Sequence, residues 1–173
     1  MMMHSSPTQA LLSFLQREGE AVQRYFRPFL KRLKQKPPGN LDAVAQTAHE
    51  EAFAEIDCLE CANCCKTVGP RVTERDISRI SRSLKMKPGQ FTRQYLKMDE
   101  DGDWVMQRLP CPFLLEDNRC MIYEDRPQAC RAFPHTDQRK FHQALGVTMI
   151  NVGSCPAAYR VVQKLEAEFD GNR

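Results

Sequence analysis

The residues of this chain with the most chemistry to offer are its eight cysteines. Four of them fall in one octapeptide, Cys58-Leu-Glu-Cys61-Ala-Asn-Cys64-Cys65, and four follow singly as Cys111, Cys120, Cys130 and Cys155. A thiol is retained mainly for what it binds or reacts with, and packing gives no reason for such crowding. A two-residue gap lets a tight turn aim neighbouring sulfurs at one point. Four thiolates at about 2.3 Å satisfy the tetrahedral demand of Zn²⁺, and four also hold an iron–sulfur cubane.

The pattern favours neither group outright. Cys58-x2-Cys61-x2-Cys64 matches the first three ligands of a bacterial ferredoxin run, but Cys65 follows directly where that run has its next cysteine three residues on. Cys111 and Cys155 each precede a proline. The downstream cysteines form no second x2 knuckle, so a zinc ribbon is not satisfied. Eight sulfurs allow two four-thiolate sites or one shared multinuclear site. Disulfides are disfavoured, because a bridge between adjacent Cys64 and Cys65 is strained and bridges within 58–64 close very small loops.

The elements that must position these thiols follow from periodicity. Leu11, Leu15, Val22, Phe26, Phe29 and Leu33 predict one amphipathic helix over 8–34. Gln35-Lys-Pro-Pro-Gly-Asn40 ends it, and a second helix is expected over 41–56, leading into the octapeptide. Thr73 with Asp76 three residues on reads as a capping box opening a helix at 74–86. That helix sets Ile77, Ile80 and Leu84 opposite Arg75, Arg79 and Arg82. Strands are expected within 103–123, at 104–109, 113–115 and 121–123, the last two joined by the turn Glu116-Asp-Asn-Arg119. Pro127 suits the start of a short helix carrying Cys130, and a last helix is expected over 156–169. The fold class is therefore α+β and mostly helical: a small irregular metal-centred domain with a short β-hairpin and an N-terminal helical extension. The corresponding boundaries are 1–54 for the extension, 55–160 for the cysteine domain, and 161–173 for the rest of the last helix and tail.

Composition narrows the setting. With 42% hydrophobic and 27% charged residues the chain reads as globular rather than disordered. A formal charge of +3 is too near balance to imply nucleic acid. No run approaches about 18 apolar residues, so no membrane span is expected. The opening MMMHSSPTQALLSFLQREGE is a poor secretory signal, which points to a cytoplasmic protein starting near residue 1.

The cysteines, together with Asp76-Ile77, Pro110-Cys-Pro-Phe-Leu114 and Arg119-Cys-Met-Ile-Tyr-Glu-Asp-Arg-Pro-Gln-Ala-Cys-Arg-Ala-Phe-Pro134, resemble the YkgJ-type CxxCxxCC cysteine-cluster family over about 55–160. The resemblance implies a zinc- or iron-chelating domain, often taken as iron–sulfur, and all eight cysteines map onto its pattern. Residues 1–54 lie outside it. It implies metal binding without assigning a reaction. Larger proteins with the same cysteine pattern resemble flagellin lysine methylases, but this chain is short for that role and shows no Gly-rich cofactor loop.

The resulting expectation is a protein that binds metal through Cys58, Cys61, Cys64, Cys65, Cys111, Cys120, Cys130 and Cys155. An iron–sulfur cluster is slightly favoured over zinc. Lys66, Arg126 and Arg131 stand close enough in sequence to offset thiolate charge. An accessory role with another protein as partner comes first. The alternative is a redox or protein-modifying enzyme with iron–sulfur oxidoreductase-like activity and Arg126, Arg131 and His135 nearest the chemistry. His135 reads more readily as a surface residue after a turn, Tyr123 as hairpin packing, and Asp125 as a turn support; His49 and His142 carry less. The Arg75/Arg79/Arg82 stripe suits nucleic acid or an acidic protein, though such faces are commonly just solvated. A redox dithiol at Cys58/Cys61 lacks a surrounding βαβ pattern, and no Ser/His/Asp arrangement supports a nucleophilic cysteine.

Overall fold

The structure is a computed structural model that describes residues 6–171. The reading of the extreme N-terminus, and His4 with it, lies outside the described residues. In chain order the elements are α1 (Pro7–Gln35), α2 (Leu41–Glu55), α3 (Cys58–Cys61), α4 (Asn63–Thr67), α5 (Glu74–Ser83), α6 (Pro88–Tyr95), β1 (Leu96–Met98), β2 (Trp104–Met106), α7 (Gln128–Ala132), α8 (Leu145–Asn151) and α9 (Pro156–Phe169). Single 3₁₀ turns cover Tyr123–Asp125 and Phe141–Gln143. The protein is α+β and mostly helical, with one two-stranded antiparallel hairpin among the described residues. No helix there is long and apolar enough to cross a membrane.

The chain divides into two compact units. One comprises the residues up to Cys61 together with those from Pro134 onward, and the other is Ala62–Phe133. The boundary thus runs through the octapeptide, and it does so at Ala62, whose φ of 47° is left-handed. A non-glycine residue there costs roughly 1 kcal/mol. The turn separates α3 from α4, so the four clustered cysteines sit on two short helices rather than one.

The first unit is a helical layer. The apolar stripe of α1 buries Leu15, Val22, Phe26, Phe29, Leu30 and Leu33 against α2, α8 and α9. Ser6 caps α1 by accepting the Gln9 N–H, and Pro28 sits inside it on the exposed face. The Asp42 carboxylate at the head of α2 accepts the Lys140 and Phe141 amides at 2.8 and 2.9 Å, tying in the return segment. Gly19 and Gly153 bring α1 and the α8–α9 turn into backbone contact. A Cβ on Gly19 would stand 2.2 Å from the Gly153 carbonyl oxygen.

The second unit packs α5, α6 and the hairpin around Val72, Ile77, Ile80, Phe91, Leu96, Met106, Phe113 and Ile122. β1 and β2 pair Leu96 with Met106 and Met98 with Trp104. The strand expected at 104–109 ends at Met106, and the hairpin expected at 113–123 reduces to a single bridge between Leu114 and Cys120. Pro110 and Pro112 remove the donors that a longer ladder would need. Pro88 occupies the first turn of α6, where its missing N–H costs nothing.

Gly19→Ala should lower stability by about 1–3 kcal/mol through overpacking against fixed backbone, whereas Gly39→Ala, with nothing within 4 Å of the added carbon, should be near neutral. Thermal melts of the two variants against the parent chain check this.

Candidate metal centre

None of the eight cysteines is in a disulfide, and both units carry some of them. Ala62–Phe133 holds Cys64, Cys65, Cys111, Cys120 and Cys130. The other unit holds Cys58, Cys61 and Cys155.

In the five-thiol set, α4 presents Cys64 and Cys65. The Cys111 amide donates to the Cys65 carbonyl at 2.8 Å, fixing the 111 segment beside that helix. A tight turn then closes between Leu115 and Arg119, with Asn118 left-handed at φ 64° and the Leu115 amide donating to the Arg119 carbonyl at 2.8 Å. This turn returns Cys120 opposite Leu114. Cys111 and Cys120 both pack against the apolar core of the unit. Cys130 rides on α7.

What holds α7 is a buried carboxylate. Asp76 is 1% exposed. It completes the capping box of α5 with Thr73, accepting the Thr73 amide at 3.0 Å and hydroxyl at 2.7 Å. Its other oxygen takes the Arg79 guanidinium at 2.6 Å and the Gln128 amide, the first of α7, at 3.1 Å. Arg79 continues to the Arg126 carbonyl at 2.9 Å. Burial pushes the Asp76 carboxyl up, but the bonds from Thr73, Arg79 and Gln128 outweigh it and hold the group below the ordinary aspartate value.

Electrostatics differ sharply among the thiols. Cys65 is held down at about 7, chiefly by the Cys64 thiol donating to it, against desolvation and with help from Lys66. Burial raises Cys111 and Cys120, each further raised by Cys65. Cys130 is pushed up to about 12 by burial first, then by Cys65, Cys111 and Cys120, with Arg126 opposing. These mutual influences link Cys65, Cys111, Cys120 and Cys130, with Cys64 acting on Cys65.

The three-thiol set is built by α1, α3 and α9. The Thr8 hydroxyl accepts the Asp57 amide at 3.0 Å, Asp57 accepts the Leu59 amide at 2.8 Å, and Ser6 and Gln9 donate to the Glu60 carboxylate and carbonyl. α3 is thereby fixed, with Cys58 and Cys61 one turn apart. Cys155 caps α9, its Sγ accepting the Ala158 amide at 3.5 Å. Burial pushes this thiol up to about 12, and Cys61 and Cys58 add to the rise.

The remaining candidates resolve differently. Arg79 was expected on a free arginine face but is committed to Asp76 and the 125–126 carbonyls, because its guanidinium reaches across to α7. Arg126 donates to the Tyr123 carbonyl at 2.6 Å and lies over that ring at 3.8 Å, while acting on Cys120 and Cys130. Arg131 binds the Arg126 and Glu124 carbonyls. His135 is left-handed at φ 67° and half-buried, and burial lowers its imidazole. His49 shares a 2.8 Å hydrogen bond with Thr136 and packs on Phe53. The sequence signals missed the Gln128 amide as the partner of Asp76; only the capping-box spacing hinted that this acid had a local task.

An all-sulfur donor set suits zinc or iron–sulfur rather than calcium or magnesium. Among the described residues, no three His, Cys, Asp or Glu side chains stand in an arrangement that holds a metal ion directly. Thiols must lose protons to ligate, and Cys130 and Cys155 at about 12 are protonated as they stand. The family model CxxCxxCC, "Putative zinc- or iron-chelating domain", matches residues 57–147. The uncharacterized protein MJ0661 of Methanocaldococcus jannaschii is 29% identical over 84 residues, a match covering 47% of this chain and 45% of that protein. No solved structure matches the chain.

Asp76→Ala should destabilise the chain by about 3 kcal/mol, since it strands the half-buried Arg79 and frees α7. The carboxyl is lowered in the folded chain, so its contribution is present above the ordinary aspartate value of about 3.9 and is lost as pH falls through and below it. Urea unfolding of both proteins at neutral and strongly acid pH should show the gap between them shrinking in acid.

Proposed function

The chain belongs to the CxxCxxCC family of zinc- or iron-chelating domains, and from that premise we propose that it holds an iron–sulfur cluster or zinc through its eight cysteines and serves as an accessory protein to another protein. The observation that carries the reading is the match of residues 57–147 to that family model in a chain whose eight cysteines are in no disulfide. Four thiolates serve either group, and the x2-x2 triplet Cys58, Cys61, Cys64 tips the reading slightly to iron–sulfur. Such a donor set belongs in a reducing compartment, consistent with the cytoplasm.

A protein partner is supported by the segment that carries Cys111 and Cys120. Leu109, Leu115, Met121 and Tyr123 along it are 45–56% exposed. A redox or protein-modifying enzyme is the second reading, favoured by Cys65 alone: a thiol near 7 is partly thiolate at neutral pH and hence nucleophilic when no metal holds it.

Anaerobic purification followed by metal, acid-labile sulfide and visible absorption measured together tests the first reading. Sulfide with a brown protein supports iron–sulfur, and colourless protein with zinc and no sulfide replaces the cluster by zinc. Absence of metal under these conditions overturns the metal reading. Cys120→Ser and Cys130→Ser should each cost metal as surely as Cys61→Ser; full metal content in those variants would mean the octapeptide is self-sufficient.

A further inference from the structure

We propose that the groove between α1 and α9 binds a small organic cation, recognised by the rings of Phe14, Tyr25 and Tyr159 and the carboxylates of Glu18 and Glu166. The site uses none of the cysteines, so it stands or falls independently of the metal-binding reading.

Two helix stripes make the groove. Phe14, Glu18 and Tyr25 lie at steps of four and seven residues on α1, and Tyr159 and Glu166 lie seven apart on α9. Such steps keep side chains on one helical face. Both helices belong to the same compact unit. The cavity between them has a volume of about 700 Å³, inside the range of roughly 300–1,000 Å³ that small-molecule sites occupy.

The aromatic rings form one continuous chain. Phe14 meets Tyr159 at 5.8 Å between centroids, Tyr159 meets Phe26 at 5.9 Å, and Phe26 meets Tyr25 at 4.9 Å, all edge to face. Edge-to-face packing turns successive ring planes across one another, so π faces point in more than one direction. Phe26 is buried, Phe14 and Tyr159 are half-buried, and Tyr25 stands 65% exposed. A cation held over such a face within about 6 Å is drawn by the ring quadrupole, and more strongly once desolvated. Hydrogen bonds steady two of the rings. Gln163 donates to the Tyr159 hydroxyl at 3.1 Å. The Tyr25 hydroxyl donates to Glu166, whose charge foremost raises that phenol.

Charge selects the ligand. The groove sets Glu18 and Glu166 against one basic residue, Arg17. Among the described residues neither Glu18 nor Arg17 enters an ion pair, so Glu18 is not neutralised from within. An anion would be repelled by both carboxylates and by the ring faces, whereas a cation is attracted by both. The cavity is far larger than a bare ammonium ion. The class that fits is an ammonium or guanidinium head on an apolar body.

NMR titration of the full chain tests the assignment, with choline and agmatine as cationic probes and neohexanol as the uncharged isostere of choline. At least one cation should bind, and choline should bind about tenfold more tightly than neohexanol, its methyl protons shifted upfield by the rings. Glu18→Gln and Tyr25→Leu, both at exposed positions, should each weaken the bound cation about three- to tenfold. Arg17→Gln removes the competing charge and should tighten it about two- to threefold. Far-ultraviolet circular dichroism of each variant should match the parent. Failure of both cations to bind at millimolar concentration overturns the proposal, as does equal binding of choline and neohexanol. Unchanged affinity in both Glu18→Gln and Tyr25→Leu moves the cation elsewhere and also overturns it. A capped arginine tripeptide that binds where neither free cation does gives the groove to a partner protein and overturns the small-ligand assignment.

Discussion

The carboxylate of Asp76 is the constraint on which Ala62–Phe133 depends. A buried charge is tolerated only when paired and hydrogen-bonded, and this one meets the demand by drawing in Thr73, Arg79 and Gln128. Each bond fixes something different. Thr73 starts α5, Arg79 grips the carbonyls of 125 and 126, and Gln128 starts α7. The position of Cys130 is thus a by-product of desolvating one acid. Apolar packing does the complementary task, since Phe113 seated on Phe91 and Tyr95 fixes the chain between Cys111 and Cys120.

In the other unit the corresponding task falls to helix ends rather than to a buried acid. The head of α1 supplies Ser6, Thr8 and Gln9 to the α3 loop, and the head of α9 supplies Cys155 itself. Helix N-termini expose amides that need partners. Here a sulfur and two short polar side chains meet that need, so the same groups that finish the helices also aim the thiols.

Long periodic elements were legible in the sequence. α1, α2 and α9 lie within a residue of their expected bounds, because each presents a continuous apolar stripe to a core. The Thr73/Asp76 capping box was legible for the same reason that it forms: it is local. What escaped was decided by long-range partners. The Arg79 side chain reads as one of three arginines on a wet face until Asp76 and the 126 carbonyl claim it. Leu114 and Cys120 read as hairpin positions, yet prolines at 110 and 112 leave them a single bridge, and the two-stranded hairpin forms instead at 96–106. The cysteines themselves were evident; their partition into two sets was not, because nothing in the spacing reveals that Ala62 turns left-handed between Cys61 and Cys64.

The nesting of one unit inside the other in sequence has a consequence for biosynthesis. Ala62–Phe133 is uninterrupted, and its last cysteine is Cys130, whereas the surrounding unit must wait for α8 and α9 to leave the ribosome before Cys155 exists to join Cys58 and Cys61. Chains fold as their segments emerge. The five thiols of Ala62–Phe133 are therefore all present while the surrounding unit still lacks Cys155.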